Sequence, residues 1–256
     1  MIGSAPLLAA LSFELDDDWA LKASLGRALR FPTVAELYQG TLVAGSIVNN
    51  DPDLKPERSW TGEWTIERRA GDAASLRATV FVEHTADALY AQTNVNVTPN
   101  VTNIQNVAAV RTRGVELAWQ GVDVVVRGLD LSSSLTFADS IITRNADFPA
   151  SVGRWQPRVP RWRANLLASW RPDDHWALTA GLRYSGRQYG TLDNSDPNGA
   201  AYTGVSRFLV GDVRVQYRLD SHWQASLGID NLNNDRYWAF HPYTQRTFNA
   251  ELRYDL

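Results

Sequence analysis

Apolar and polar side chains alternate along this chain in segments of roughly ten residues, the period that sends successive side chains to opposite faces of a strand. Trp176, Leu178, Ala180, Leu182 and Tyr184 share one face, while Thr179, Gly181, Arg183, Ser185 and Arg187 share the other. The C-terminal residues repeat the pattern, with Phe248, Ala250, Leu252, Tyr254 and Leu256 opposing Thr247, Asn249, Glu251, Arg253 and Asp255. Eleven such segments can be read, near 7–15, 20–30, 58–70, 75–89, 107–120, 124–140, 160–170, 176–189, 205–219, 223–232 and 247–256. The third and sixth alternate least cleanly. None carries the three-and-four spacing that an amphipathic helix needs.

The links between these segments are short and long by turns. Short links fall at 16–18, 71–74, 121–123, 171–175 and 220–222, and long ones at 31–57, 90–106, 141–159, 190–204 and 233–246. Outer-membrane barrels join their strands in this way, with short periplasmic turns and long extracellular loops. The expected fold is therefore all-β, an antiparallel transmembrane barrel segment of about eleven strands. Tryptophan placement tests this independently, because indole rings favour the membrane interface. Trp19, Trp176 and Trp223 follow short links and Trp119 and Trp170 precede them, forming one expected girdle. Trp60, Trp64, Trp155, Trp162 and Trp238 fall in or near the long-link ends and form the other. Three short links share a local pattern around Asp18-Trp19, Asp174-His175-Trp176 and Asp220-Ser221-His222-Trp223, as if one hairpin design were reused.

Composition removes other classes. A net charge of −3 leaves no basic footprint for nucleic acid, and the absence of cysteine removes disulfides and thiolate metal sites. No apolar run reaches the length of a membrane helix. The first fifteen residues lack a basic segment and run into Asp16-Asp17-Asp18, so an export signal is expected upstream. Single-chain bacterial barrels close with an even number of strands. Eleven strands ending toward the periplasm thus imply that an odd number precedes them.

Several stretches resemble a known family. Arg30 to Tyr38 (R-F-P-T-V-A-E-L-Y) and Asn50 to Glu57 (N-D-P-D-L-K-P-E) are similar to a stretch of the barrel of TonB-dependent receptors. Thr112 to Leu117 (T-R-G-V-E-L) resembles a strand of that family. Gly228 to Trp238, with Gln245 to Phe248, resembles its penultimate hairpin and last strand. The resemblance implies a 22-stranded barrel with an N-terminal plug that takes up scarce nutrients such as iron–siderophores or cobalamin, energised through TonB. Residues 1–256 would then be the C-terminal half of the barrel, without plug or TonB box. Outer-membrane lipid, the TonB complex through the missing plug, and a siderophore or similar ligand are the implied partners.

Candidate sites follow from this reading. Arg154, Arg158, Tyr189, Tyr202, Tyr243 and Arg246 lie near the long loops, where aromatic and basic groups can hold an anionic chelate. The alternative for most of them is interface anchoring and loop packing. Arg163, Arg183, Arg187, Asp212, Arg214, Glu251 and Arg253 are expected to face the lumen, with the arginines paired to carboxylates such as Asp212 and Glu251. His84, His175, His222 and His241 lack metal-ligand spacing, and Asp16 to Asp18 lack the pattern of a calcium loop. Asn96 and Asn100 begin N-x-T triplets that read as polar loop composition. Without a nucleophile elbow, Walker A loop, dinucleotide fingerprint or HExxH, neither enzymatic activity nor a cofactor is expected. Two other readings compete. A small self-closing porin or structural barrel would join its first and last strands by hydrogen bonds. A soluble all-β enzyme or propeller would confine charge to loops, yet Arg183, Arg214, Glu251 and Arg253 fall mid-segment.

Overall fold

The computed structural model describes residues 6–38, 42–43, 46–94, 100–196, 199–202 and 204–256. Eleven long strands run in chain order: β1 (Leu7–Glu14), β2 (Trp19–Arg30), β3 (Glu57–Ala70), β4 (Ala74–Asn94), β5 (Asn100–Gly121), β6 (Leu129–Arg144), β7 (Trp162–Trp170), β8 (Trp176–Ser185), β9 (Phe208–Arg218), β10 (Trp223–Asp230) and β11 (Thr247–Tyr254). Each pairs antiparallel with its sequence neighbour, so the sheet is an up-and-down meander. Among the described residues β1 pairs only with β2 and β11 only with β10, which leaves the sheet open at both edges. A short helix, α1 (Val34–Tyr38), and the short strands Leu42–Val43 and Ser46–Asn49 fill the first long link, the latter pairing parallel with the start of β5.

Register divides the sheet into two chemical faces. One row of cross-strand partners carries Thr65, Thr79, Glu116, Thr136 and Arg163, and its neighbour carries Ile66, Ala78, Leu117 and Leu135. The polar face is concave. Arg77, Gln120, Asn165, Arg183, Asp212 and Arg214, drawn from five strands, line one cleft of about 900 Å³. The apolar face is convex and open to the surroundings, with Leu25, Trp64, Val80, Leu166 and Leu227 between 45 and 68% exposed. In water such a face would be a strong penalty; against lipid hydrocarbon it is the expected surface.

The main buried cluster sits at the long-loop end. Ala88, Val107, Val110, Ile142 and Leu192 pack there with Tyr90 and Phe148 against them. Two local features differ from the sequence reading. Strands β4 and β5 run far beyond the roughly ten residues needed to cross a bilayer, so much of the link 90–106 is a continuing hairpin. Asp87, where φ is 55°, interrupts this ladder without shifting its register, and Ala88 resumes pairing with Val107; the register shift lies between β5 and β6 at Ala109/Val110. Residues 124–128, read as strand, form a turn instead. Asp123, Val125 and Gly128 all take positive φ, and the Asp123 carboxylate accepts the Gly128 N–H. The valine run has strand propensity, but Val125 is 94% exposed and has no strand to pair with.

Candidate functional site

The short-link end is built by a repeated unit. Asp16, Asp173 and Asp220 each stand three residues before a tryptophan. Each accepts two backbone N–H groups across its turn: from Asp18 and Trp19 (2.9 and 2.8 Å), from His175 and Trp176 (2.8 and 2.9 Å), and from His222 and Trp223 (both 2.8 Å). A carboxylate is suited to this because it closes the turn without asking for a special backbone conformation. The N–H groups of His175 and Trp176 hold the Asp173 carboxyl below its ordinary pKa, and those of His222 and Trp223 do the same for Asp220. The tryptophan then packs on the residue opposite, Trp176 on Tyr217 at 4.6 Å and Trp223 on Tyr254 at 4.8 Å. Arg68 lies over Trp19 at 5.4 Å. Trp119 and Trp170 share this face and this end.

On the concave face, register brings Arg163, Arg183, Asp212, Arg214, Glu251 and Arg253 to one side of the sheet. Arg183 pairs with Asp212 at 3.2 Å, and Asp212 also accepts the Asn231 N–H. Arg253 bonds Asp255 at 2.7 Å instead of Glu251. Arg187 lies past the last residue of β8, with its guanidinium over the Tyr189 ring at 4.6 Å.

The long-loop end is assembled from distant pieces. The loop 186–196 docks on the loop 145–161 through Asn194, whose side chain accepts the Trp155 N–H at 2.8 Å and donates to the Trp155 carbonyl at 2.9 Å. The Arg158 N–H donates to Tyr189 O at 2.9 Å, so two of the six proposed contact residues are neighbours. The Arg158 guanidinium lies 4.3 Å from the centroid of Phe240 and so reaches the loop after β10. There Tyr237 stacks on Tyr243 at 4.7 Å, and Tyr202 meets Trp238 and His241 edge-on. Burial pushes the Tyr237 phenol above its ordinary pKa. Arg154 is exposed and holds its loop through backbone bonds to Ser151 and Ile142, and the Arg246 N–H donates to Asn234. The structure thus joins Arg158 with Tyr189 and places Tyr202 and Tyr243 in one aromatic neighbourhood, with Arg154 and Arg246 apart. Phe240 and Tyr237 were not singled out as contact residues, and Trp238 was read as a girdle residue alone, because they sit in a link without periodicity.

The family-like stretches act as fasteners of this end. Thr33 and Glu36 form a reciprocal capping box at α1, and Arg30 pairs with Glu36 at 2.6 Å. Asn50 donates to the Ala35 and Glu36 carbonyls, and Asn106 exchanges bonds with both backbone groups of Lys55. A Cβ at Gly114 would stand 2.2 Å from Phe137 O and 2.4 Å from the Phe81 ring, so only glycine fits there. Asn231 is buried and closes its loop by accepting the Asp235 N–H and donating to Asp235 O. Asn96 lies outside the described residues. Among the described residues no group of histidine and carboxylate side chains is placed to hold a metal ion.

A family model described as "TonB dependent receptor-like, beta-barrel" matches residues 9–232. The iron-regulated outer membrane virulence protein of Vibrio cholerae is 24% identical over 237 residues, which is 86% of this chain and 34% of that protein. Among solved structures, copper transporter OprC superposes with a TM-score of 0.72 at 20% identity, covering 96% of this chain and 39% of that one. A mutant of the ferric enterobactin receptor PfeA from Pseudomonas aeruginosa, in complex with enterobactin, gives a TM-score of 0.70 at 20% identity, covering 96% and 40%. This chain therefore spans about a third of the length of the curated relatives it matches.

Proposed function

This chain belongs to the TonB-dependent receptor-like β-barrel family, and from that premise we propose that it forms the C-terminal wall of an outer-membrane uptake receptor. Its place is the outer membrane, and its family and structural neighbours are receptors and transporters. The cargo we propose is a scarce metal carried as an anionic chelate, an iron–siderophore being the leading case and cobalamin another. The rest of the barrel and a plug in contact with TonB would lie in the remaining length of the protein. The observation that carries this reading is the open eleven-stranded meander, polar and concave on one side and apolar on the other.

In this reading Arg154, Arg158, Tyr189, Tyr202, Tyr243 and Arg246 contribute ligand contacts at the mouth. The linkage of Arg158 to Tyr189 and Phe240 supports a shared surface of cationic and aromatic groups. Arg183 and Asp212 belong to the polar lining below it.

The test is uptake of radioiron by iron-starved cells, offered as a panel of ferric siderophores, with the gene intact, deleted, or intact in cells lacking TonB. The expected result is loss of uptake of at least one chelate in both deficient strains. Undiminished uptake of every chelate would end the siderophore reading. An immunoblot of the outer membrane with an epitope at Leu256 checks the architecture. A band more than twice the calculated 28.6 kDa supports the larger barrel, and a heat-modifiable band at that size supports the self-closing one.

A further inference from the structure

We propose that the convex face carries, at its extracellular border, a binding site for the phosphate groups of the outer-leaflet glycolipid, centred on Arg111, Arg113 and Arg161. The proposal rests on the membrane-spanning reading of this face and is independent of the cargo.

Height places the site. Counting from the short-link ends, Arg111 and Arg113 stand ten and eight residues above Gly121 on β5, and Arg161 stands nine above Trp170. A strand needs about 9–11 residues to cross the hydrocarbon. These guanidinium groups therefore lie where the apolar band ends and headgroups begin. Their direction follows from register and contacts. Arg113 pairs across the strands with Val82 on one side and Asp139 on the other, in the row next to Val80, Val115 and Phe137 of the apolar face. Arg111 sits opposite His84 and Ile141 on the same face. The Arg161 guanidinium lies over Phe137 and Trp155, 5.4 and 5.0 Å from their centroids.

Charge is not balanced there. Asp139 is the carboxylate of the cluster, 3.4 Å from Arg113 and 3.7 Å from Arg161, which leaves two guanidinium charges in excess. Beyond it on the same face stand Arg27, over Trp60 at 5.5 Å, and Arg58, already paired with Asp87. The Nε atoms of Arg27 and Arg161 are buried and make no hydrogen bond. Guanidinium charge in excess at this depth, with Arg161 steadied over Phe137 and Trp155, matches a ligand that brings several acceptor oxygens and stays at the interface. Phosphate esters on a membrane-anchored glycolipid do so, and guanidinium groups bind them in paired geometry. Outward-facing lysine and arginine near a membrane surface attract anionic lipid in the same way.

The experiment uses the native product extracted from outer membranes. Retained lipopolysaccharide is measured by native mass spectrometry for the parent and for the triple variant Arg111→Gln, Arg113→Gln, Arg161→Gln. Retention should fall by roughly tenfold or more, since each basic group near the surface adds to the attraction. A triple lysine variant should keep most of it, and Arg68→Gln, at the opposite border, should keep all. Rebinding is then tested with phosphatidylethanolamine vesicles with or without lipopolysaccharide, and with inorganic phosphate as competitor. Binding only to the lipopolysaccharide vesicles supports the glycolipid, whereas full displacement by millimolar phosphate assigns the site to the free anion and overturns the proposal. Equal retention by parent and glutamine variant also overturns it. Should the glutamine variant lose its heat-modifiable band, the lysine variant decides: lipid retained at parental level alongside loss in Arg111→Gln alone supports the site, and no loss in Arg111→Gln refutes it.

Discussion

The two ends of the sheet solve the same problem, anchoring strand ends at a membrane border, by opposite means. At the short-link end the carboxylate that fixes each turn is local, and the tryptophan beside it packs on the neighbouring strand. Asp220 bonds N–H groups two and three residues ahead, and Trp223 packs on the residue directly across the ladder. At the long-loop end the anchors join residues far apart in the chain. Asn194 holds Trp155 across 39 positions, and Asn106 holds Lys55 across 51. A local device can be repeated and survives as a pattern, which is why three turns share it. A long-range device is used once and leaves no periodic trace.

The keystone of the long-loop end is a single buried leucine. Leu192 is 1% exposed and fills the cluster formed by Val107, Val110 and Ile142. Leu192→Ala should weaken the docking of the loop 186–196 by about 2–5 kcal/mol, the usual cost of emptying such a site. Limited proteolysis in outer membranes would then cut within this loop, while the turns around Asp16, Asp173 and Asp220 stay protected. Unchanged cleavage would mean that the loop is held elsewhere.

A smaller effect is expected at Asn194. Its side chain satisfies both backbone groups of Trp155, and Asn194 itself takes a positive φ of 59°. Asn194→Ala should cost about 1 kcal/mol for each lost bond, with some added strain from the left-handed backbone. Trp155 packs on Tyr189 at 5.6 Å, so its fluorescence reports the change. A spectrum identical to the parent's would show that the two loops stay docked without this side chain.

These differences explain what could be read from the chain beforehand. All eleven strands were visible because lipid on one side and a polar lumen on the other force alternation on every crossing. The Trp176 and Trp223 turns were visible because they repeat. Trp64 was misplaced at a loop end: it lies in mid-strand on the convex face, six residues from Ala70 where the strand meets the short link. The valine run 124–126 misled because strand propensity measures packing on a half-buried surface, and no such surface is there. At the mouth, Arg158 and the tyrosines stood out as residue types, but their contacts with Phe240 and Trp238 depend on how separate loops meet.

The smallest expected effect lies at the short-link end and is seen with pH. Asp220 has its carboxyl held below the ordinary value of 3.8 by the N–H groups of His222 and Trp223. A carboxyl with a depressed folded pKa contributes stability that is complete above its ordinary value and is lost as pH falls through the depressed one. The turn should therefore hold at neutral pH and loosen only in acid below 3.8, and the same applies to Asp173. Asp220→Asn keeps an acceptor oxygen but cannot titrate, so it should retain the turn and lose the acid response. Asp220→Ala should loosen it at every pH. Amide protection at Trp223, followed from neutral pH into acid, separates the three. If the asparagine variant loosens in acid as the parent does, the response comes from another group, and the repeated aspartate serves only the geometry of the turn.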